Sequence, residues 1–146
     1  MSEDIKAIGR RISVEVFGQG RFEVIDEVVA PDSREHGDFP PGVPPGRDGL
    51  KMIARALRSA FPDLKNTIDL QVAEGDLVAT KVTYTGTMKG DYMGMQATGK
   101  QATWTESHFL RIKNGQMTEH WGDIDRLGML RQLGLAPAAP TAAGTR

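Results

Sequence analysis

The spacing of the apolar residues changes once along this chain, near Pro62. Before that proline, apolar side chains recur every three or four residues in three stretches, which predicts helices over residues 4–17, 21–29 and 48–61. After it, apolar and polar residues alternate, which is typical of strands that bury one face. Helices followed by consecutive antiparallel strands predict an α+β fold, in which a curved sheet wraps over the helices.

Turn signals divide the alternating half of the chain into strands. Glu74-Gly75-Asp76 predicts a tight turn, and Asn114-Gly115 is a pair favoured in type I′ turns. On the first strand Ile68, Leu70 and Val72 alternate with polar residues, so we expect these three on one face. The predicted strands cover residues 67–72, 77–85, 101–112 and 117–123.

Two segments bound the predicted domain. Four of the eight prolines fall between residues 40 and 46, which predicts a stiff loop rather than an interdomain linker. Asp125 is the expected N-cap of a last helix over residues 126–133. We therefore expect one domain over residues 1–135, followed by a disordered tail over residues 136–146 that is rich in Ala, Pro and Thr.

Composition and charge exclude several classes of function. The chain has no cysteine, which excludes disulfides and thiolate catalysis. Its net charge is −1 without a basic block, so we expect no nucleic-acid partner. No apolar run is long enough for a membrane span, and the acidic N-terminus lacks a signal-peptide core, so we expect a cytoplasmic protein. Without paired metal-ligand spacings or a phosphate-binding glycine motif, no metal and no cofactor are expected.

The three histidines are the main candidates for chemistry. His108 shares a predicted strand face with Trp104 and aliphatic residues, and a polar tip in an apolar concavity is typical of a binding pocket. The same pattern fits a hydrogen-bonded core histidine, and periodicity leaves open whether the space between sheet and helices is filled. His36 lies close to Asp38 before the proline-rich loop, and His120 lies on the last predicted strand.

Six segments, spread from the third predicted helix to the last, carry a resemblance to a known family. In chain order they are Phe61-Pro62-Asp63-Leu64, Glu74-Gly75-Asp76-Leu77-Val78-Ala79, Thr98-Gly99-Lys100 before Trp104, Arg111-Ile112 with Asn114-Gly115, Glu119-His120-Trp121 with Asp125, and Leu127-Gly128-Met129-Leu130-Arg131-Gln132-Leu133-Gly134. Their order and spacing resemble the SnoaL-like polyketide cyclases of the nuclear-transport-factor-two-like superfamily.

This resemblance implies a cone-shaped α+β barrel, whose N-terminal helices pack in the concave side of a curved, mainly antiparallel sheet. It also implies a homo-oligomer and cofactor-free chemistry on a hydrophobic, polyketide-like substrate. In the family's cyclases, an aspartate on the last strand and a histidine on the neighbouring strand close a ring by intramolecular aldol condensation. His108 matches that histidine, whereas the aspartate position falls on Gly122.

Three functions follow as hypotheses. In the first, the chain is a cyclase that uses His108 with Asp123 or Asp38 as the carboxylate; Asp123 reaches the same face only through a bulge or register shift. In the second, Gly122 marks a site that has lost its acid, and the protein binds a small molecule without catalysis. A third, purely structural module predicts a filled cone. The residues predicted to bind substrate are His36, Asp38, Tyr92, Met93, Met95, Trp104 and His120.

The outer face of the predicted sheet favours self-association. Thr105, Ser107, Phe109 and Arg111 share one face of the long strand, and a threonine-rich run covering residues 83–87 lies on the strand before it. A flat, weakly charged face of this kind is typical of a surface that another sheet covers. We therefore expect a two-fold homodimer with Phe109 near the centre of its interface.

Overall fold

The structure is a computed structural model that describes residues 2–37 and 39–139. Its helices are α1 (Ser2–Arg10), which continues as a π-helical segment (Arg11–Gly18), α2 (Val24–Val28), α3 (Gly46–Ala60) and α4 (Arg126–Gln132). Its strands are β1 (Val29–Glu35), β2 (Lys65–Glu74), β3 (Leu77–Thr87), β4 (Gln101–Lys113) and β5 (Gln116–Ile124). Each predicted helix and strand therefore has a counterpart, with its ends shifted by a few residues.

The five strands form one curved sheet that does not close on itself. Their order is β1-β5-β4-β3-β2; β1 runs parallel to β5, and the other neighbours are antiparallel. The helices pack on the concave face, where Val16, Ile25 and Ala54 contact Val78 and Leu110 in one buried cluster. The predicted fold class is confirmed, a mixed α+β architecture with a curved, mainly antiparallel sheet.

Strand β1 was not predicted from the sequence. The helix expected over residues 21–29 ends at Val28, and an extended edge strand begins at Val29 instead of a loop. Pro31 lies within this strand, where its missing N–H is tolerated because β1 pairs only with β5. The polar sequence after Ala30 has no alternation that would have indicated a strand.

A bulge in β2 overturns the expected facing of its apolar residues. Ile68 pairs with Val82 on the inner face, but the register shifts there and Leu70 pairs with Lys81 on the outer face. Leu70 and Val72 are consequently 54% and 56% exposed. The prediction that Ile68, Leu70 and Val72 share one face is therefore wrong.

Several local predictions are confirmed. The alternation of β4 buries Trp104 and Leu110 on the concave side and leaves Phe109 47% exposed on the convex side. Asn114 and Gly115 both have positive φ, as a type I′ turn requires. Asp125 caps α4, because its Oδ1 accepts a hydrogen bond from the Gly128 N–H at 3.0 Å.

Two predictions fall on residues outside the described ranges. Asp38 is one of them, and most of the predicted tail, residues 140–146, is the other. Among the described residues, no helix is both long and apolar enough to cross a membrane.

Candidate functional site

A cavity of about 840 Å³ lies between α3, the proline-rich loop and the concave face of β4 and β5. This volume is in the range typical of small-molecule sites. The cavity opens to the surface beside Met52, Met93 and Ile124, each of which is exposed. Its apolar walls include Phe17, Phe39, Leu50, Ile53, Leu57, Tyr92, Trp104 and Met129, and its polar groups include Glu35, Asp91, Glu106, His108, His120, Asp123 and Arg126.

A buried carboxylate anchors His108 at the inner end of this cavity. Trp104, Glu106 and His108 lie at alternate positions of β4, so their side chains share the concave face. The indole Nε1 of Trp104 donates to Glu106 Oε2 at 2.9 Å, and Glu106 Oε1 lies 2.9 Å from Nε2 of His108. Glu106 is only 7% exposed, and both of its carboxylate oxygens are hydrogen-bonded, as burial of this group requires.

The second ring nitrogen of His108 contacts another histidine. His108 Nδ1 lies 2.8 Å from His120 Nε2, and the two rings meet edge to edge, with centroids 5.0 Å apart and an angle of 26° between their planes. On its other side, His120 Nδ1 lies 2.7 Å from Oε1 of Glu35 on β1. Because β5 lies between β1 and β4, His120 joins the edge strand to His108. We call Glu106, His108, His120 and Glu35 the histidine row.

Gly122 pairs directly with His108 across β4 and β5. A Cβ atom at this position would lie 2.9 Å from His108 Nδ1 and 2.9 Å from His120 Cε1. Such contacts are shorter than real Cβ atoms make, so a side chain at position 122 would displace one of the rings. The contact between His108 and His120 therefore depends on glycine at position 122.

Comparison with known proteins identifies the family. A family model described as SnoaL-like polyketide cyclase matches residues 7–133. This chain belongs to that family. A cyclase of nogalonic acid methyl ester from Streptomyces nogalater is 26% identical over 122 residues, which are 83% of this chain and 91% of that protein. The aklanonic acid methyl ester cyclase DnrD of Streptomyces peucetius is 29% identical and covers 92% of this chain and 92% of its own.

A solved structure gives the same result for the fold. TsrD from Streptomyces laurentii superimposes with a TM-score of 0.82 at 26% identity, covering 92% of this chain and 97% of that one. This chain therefore shares the architecture of TsrD over nearly its whole described length.

Asp123, one of the two carboxylates predicted beside His108, is not among the groups that hydrogen-bond to its ring. Asp123 pairs with Ser107, one residue beyond Gly122, and lies exposed at the cavity mouth. Both ring nitrogens of His108 are taken by Glu106 and His120. A catalytic role for Asp123 stays a prediction, and Asp38 lies outside the described residues.

His36 lies on the opposite side of the sheet from His108. Its ring stacks on Trp121 with centroids 4.4 Å apart, and its Nε2 lies 2.7 Å from Glu119 Oε2. Hydrogen bonds from His36 and then from Arg111 hold the pKa of Glu119 below its usual range. His36 therefore belongs to a polar cluster on the convex face, with Trp121, Glu119 and Arg111.

The remaining predicted binding residues are divided between the cavity and the core. Tyr92 and Trp104 line the cavity, and burial raises the pKa of the Tyr92 phenol, which keeps it a neutral hydrogen-bonding group. Met93 lies at the mouth, where its Sδ is 3.4 Å from a guanidinium nitrogen of Arg126. Met95 packs instead against the buried cluster around Trp104.

Glu106 and Glu35 were missed as site residues from the sequence. Glu106 had a usable signal, because it lies two residues before His108 on a strand predicted from its alternation, and residues two apart on a strand share a face. Glu35 had none, because the strand that carries it was not predicted. Among the described residues, no group of three or more His, Asp and Glu side chains has a geometry that could hold a metal ion.

Proposed function

We propose that this protein is a cofactor-independent cyclase that closes a ring of a hydrophobic, polyketide-like carbonyl substrate by intramolecular aldol chemistry. The observation that carries the proposal is His108, which lines the cavity and contacts Glu106 and His120 through its two ring nitrogens. A positioned imidazole of this kind is suited to general acid/base catalysis.

The size and lining of the cavity support a substrate of several fused rings. Most of the wall is aromatic or aliphatic, and the titratable groups of the histidine row are gathered at one place. This distribution orients a flat apolar molecule with one carbonyl group towards His108. The two cyclases from Streptomyces are named for methyl esters of nogalonic acid and aklanonic acid, so these esters are the first substrates to test.

The proposed reaction begins with proton removal from a carbon α to a carbonyl. Glu106 and Trp104 are buried beside His108, and charges interact more strongly at a buried site than in bulk water. An imidazolium there stabilises the negative oxygen of the enolate. The enolate carbon then attacks a second carbonyl of the same molecule and closes the ring.

Non-catalytic binding is the second candidate, because Gly122 occupies the position at which the family resemblance places the acid/base aspartate. Both functions predict that the methyl esters raise the unfolding temperature. At 100 times the dissociation constant, a bound ester adds about 2.7 kcal/mol to the free energy of unfolding. The two functions differ in turnover.

Turnover of the two methyl esters by the wild-type protein and by His108→Ala separates the candidates. If the protein is a cyclase, turnover falls about 10²- to 10⁴-fold in the variant. Thr105→Ala, on the opposite face of β4, is the control and keeps wild-type turnover. Stabilisation by the esters without any turnover supports binding alone, and equal turnover by wild type and His108→Ala removes His108 from the reaction.

We also propose that the convex face of the sheet forms a homodimer. Val72, Ala79, Phe109 and Trp121 are successive partners across four strands, so they form one row on that face. Val72 and Phe109 are about half exposed within the single chain. An apolar row at the centre of a sheet face supports packing against a second sheet.

A further inference from the structure

The histidine row contains three internal contacts, at 2.9, 2.8 and 2.7 Å. Each contact joins two atoms that both carry lone pairs, so each needs one proton to become a hydrogen bond. The row therefore holds three protons, wherever along it each proton lies. Two carboxylates and two imidazole rings that share three protons carry a net charge of −1.

Loss of one proton changes what the two rings present to the cavity. With both glutamates ionised, each ring then keeps a single N–H. Each N–H points to a glutamate, because an ionised oxygen is a stronger acceptor than a neutral ring nitrogen. His108 Nδ1 and His120 Nε2 are left as two bare lone pairs that face each other. This pair of nitrogens is a base. One added proton restores the hydrogen bond between the two rings.

Gly122 is the residue beside these two nitrogens, and it also lines the cavity. Its φ is not in the left-handed region, so glycine is not required there for the backbone conformation. It is required for space, because a Cβ would contact both rings at 2.9 Å. An aspartate at position 122 would therefore push the two rings out of the positions in which they contact each other.

We propose that His108 and His120 act as one acid/base unit, and that this unit takes the place of the aspartate that the family resemblance puts at position 122. Glu106 and Glu35 are its positioning residues, since each holds the outer nitrogen of one ring. This inference rests on the proposed cyclase function and assigns its proton-transfer group.

The unit accepts one proton from the substrate and returns it to the product. In the first step a C–H bond α to the carbonyl breaks, its electron pair becomes the enolate, and its proton goes to the two bare nitrogens. In the second step the enolate carbon forms a C–C bond with the acceptor carbonyl carbon. The resulting alkoxide takes the proton back from the unit. No oxidant, reductant or other reactant is consumed.

Nitrogen NMR of protein labelled with ¹⁵N-histidine tests the unit without a substrate. The resting row holds its three protons, so we expect three protonated ring nitrogens among its four, and a coupling through the hydrogen bond between His108 Nδ1 and His120 Nε2. The unit accepts the proton of the substrate after this row has released one proton to solvent. In Gly122→Ala the coupling is lost and turnover falls about 10²- to 10⁴-fold. Ser107→Ala, on the opposite face of β4, is the matched control and keeps both the coupling and the wild-type turnover.

Glu35→Gln is a second variant, which tests the proton count if Gly122→Ala does not fold. The amide group can donate to His120 Nδ1, so the row then needs only two ring protons. We expect the coupling to remain and the number of protonated ring nitrogens to fall from three to two. A count that stays at three would overturn the role given to Glu35.

The outcomes separate this inference from the proposed function. If wild-type protein shows no coupling between the two rings but converts the methyl esters, the unit is refuted and the cyclase function stands. If the coupling and the count of three are present but no ester is converted, the unit exists and the cyclase function fails. If Gly122→Ala folds and keeps wild-type turnover, Gly122 has no part in the reaction.

Discussion

Glu106 is the residue whose replacement most sharply separates a structural role from a chemical one. Its carboxylate accepts from Trp104 and contacts His108, and it is almost completely buried. Glu106→Ala removes both contacts, whereas Glu106→Gln keeps the size of the side chain. In the glutamine variant the amide oxygen accepts from the Trp104 indole, and the amide N–H donates to His108 Nε2.

The two variants are expected to differ in stability but not in activity. Glu106→Ala leaves the buried Trp104 N–H without an acceptor, which costs about 1–3 kcal/mol. For a chain of this length that lowers Tm by about 2–12 °C. Glu106→Gln leaves all these groups paired, so its Tm changes by less than the alanine variant's. It also forces the proton of His108 from Nε2 to Nδ1, so turnover falls about 10²- to 10⁴-fold in both variants.

Thermal unfolding followed by circular dichroism, together with turnover of the methyl esters, measures both effects. Ser107→Ala, on the opposite face of β4, is the control and is expected to match the wild-type protein in both measurements. Wild-type turnover in Glu106→Gln would refute the role of Glu106 in setting the proton of His108. An unchanged Tm in Glu106→Ala would show that the Trp104 N–H does not depend on it.

Three further predictions concern the two faces of the sheet. Phe109→Lys is expected to reduce the mass in light scattering from twice 15.9 kDa to 15.9 kDa, and a wild-type monomer would refute the dimer. Gly122→Asp is expected to lower both Tm and turnover, because its Cβ contacts the two histidine rings; a gain of cyclase activity would contradict the acid/base unit. The lowered pKa of Glu119 gives stability that is complete above the ordinary value of 4.5 and is lost as the pH falls through the lowered pKa. The Tm of Glu119→Gln should therefore decline less on acidification than that of the wild type, and parallel curves would show that His36 and Arg111 do not act through this carboxyl.

The sequence predicted best where one pattern extended over many residues. The alternation of β4 placed Trp104, His108 and Leu110 on one face, because a strand paired on both sides keeps a regular pleat. The type I′ turn at Asn114 and the cap of α4 were predictable, because each depends on a few neighbouring residues with specific backbone preferences.

Features that depend on distant pairing could not be predicted. Strand β1 is extended because β5 offers it a parallel partner, and residues 29–35 carry no signal of that partner. Glu35 therefore could be placed in the site only once the pairing of β1 with β5 was known. The bulge in β2 turns Leu70 and Val72 to the outer face of the sheet. It could not be predicted, because the sequence alternates regularly through the bulge.

Ring closure by acid/base chemistry is tested most directly by the mass of the product. An intramolecular aldol addition forms one C–C bond and moves one proton, so the product has the same mass as the substrate. Liquid chromatography with mass spectrometry of nogalonic acid methyl ester, incubated with wild-type protein, should show a new peak of unchanged mass. That peak should be nearly absent with His108→Ala. Unchanged ester, or a product whose mass differs from that of the ester, would contradict the account.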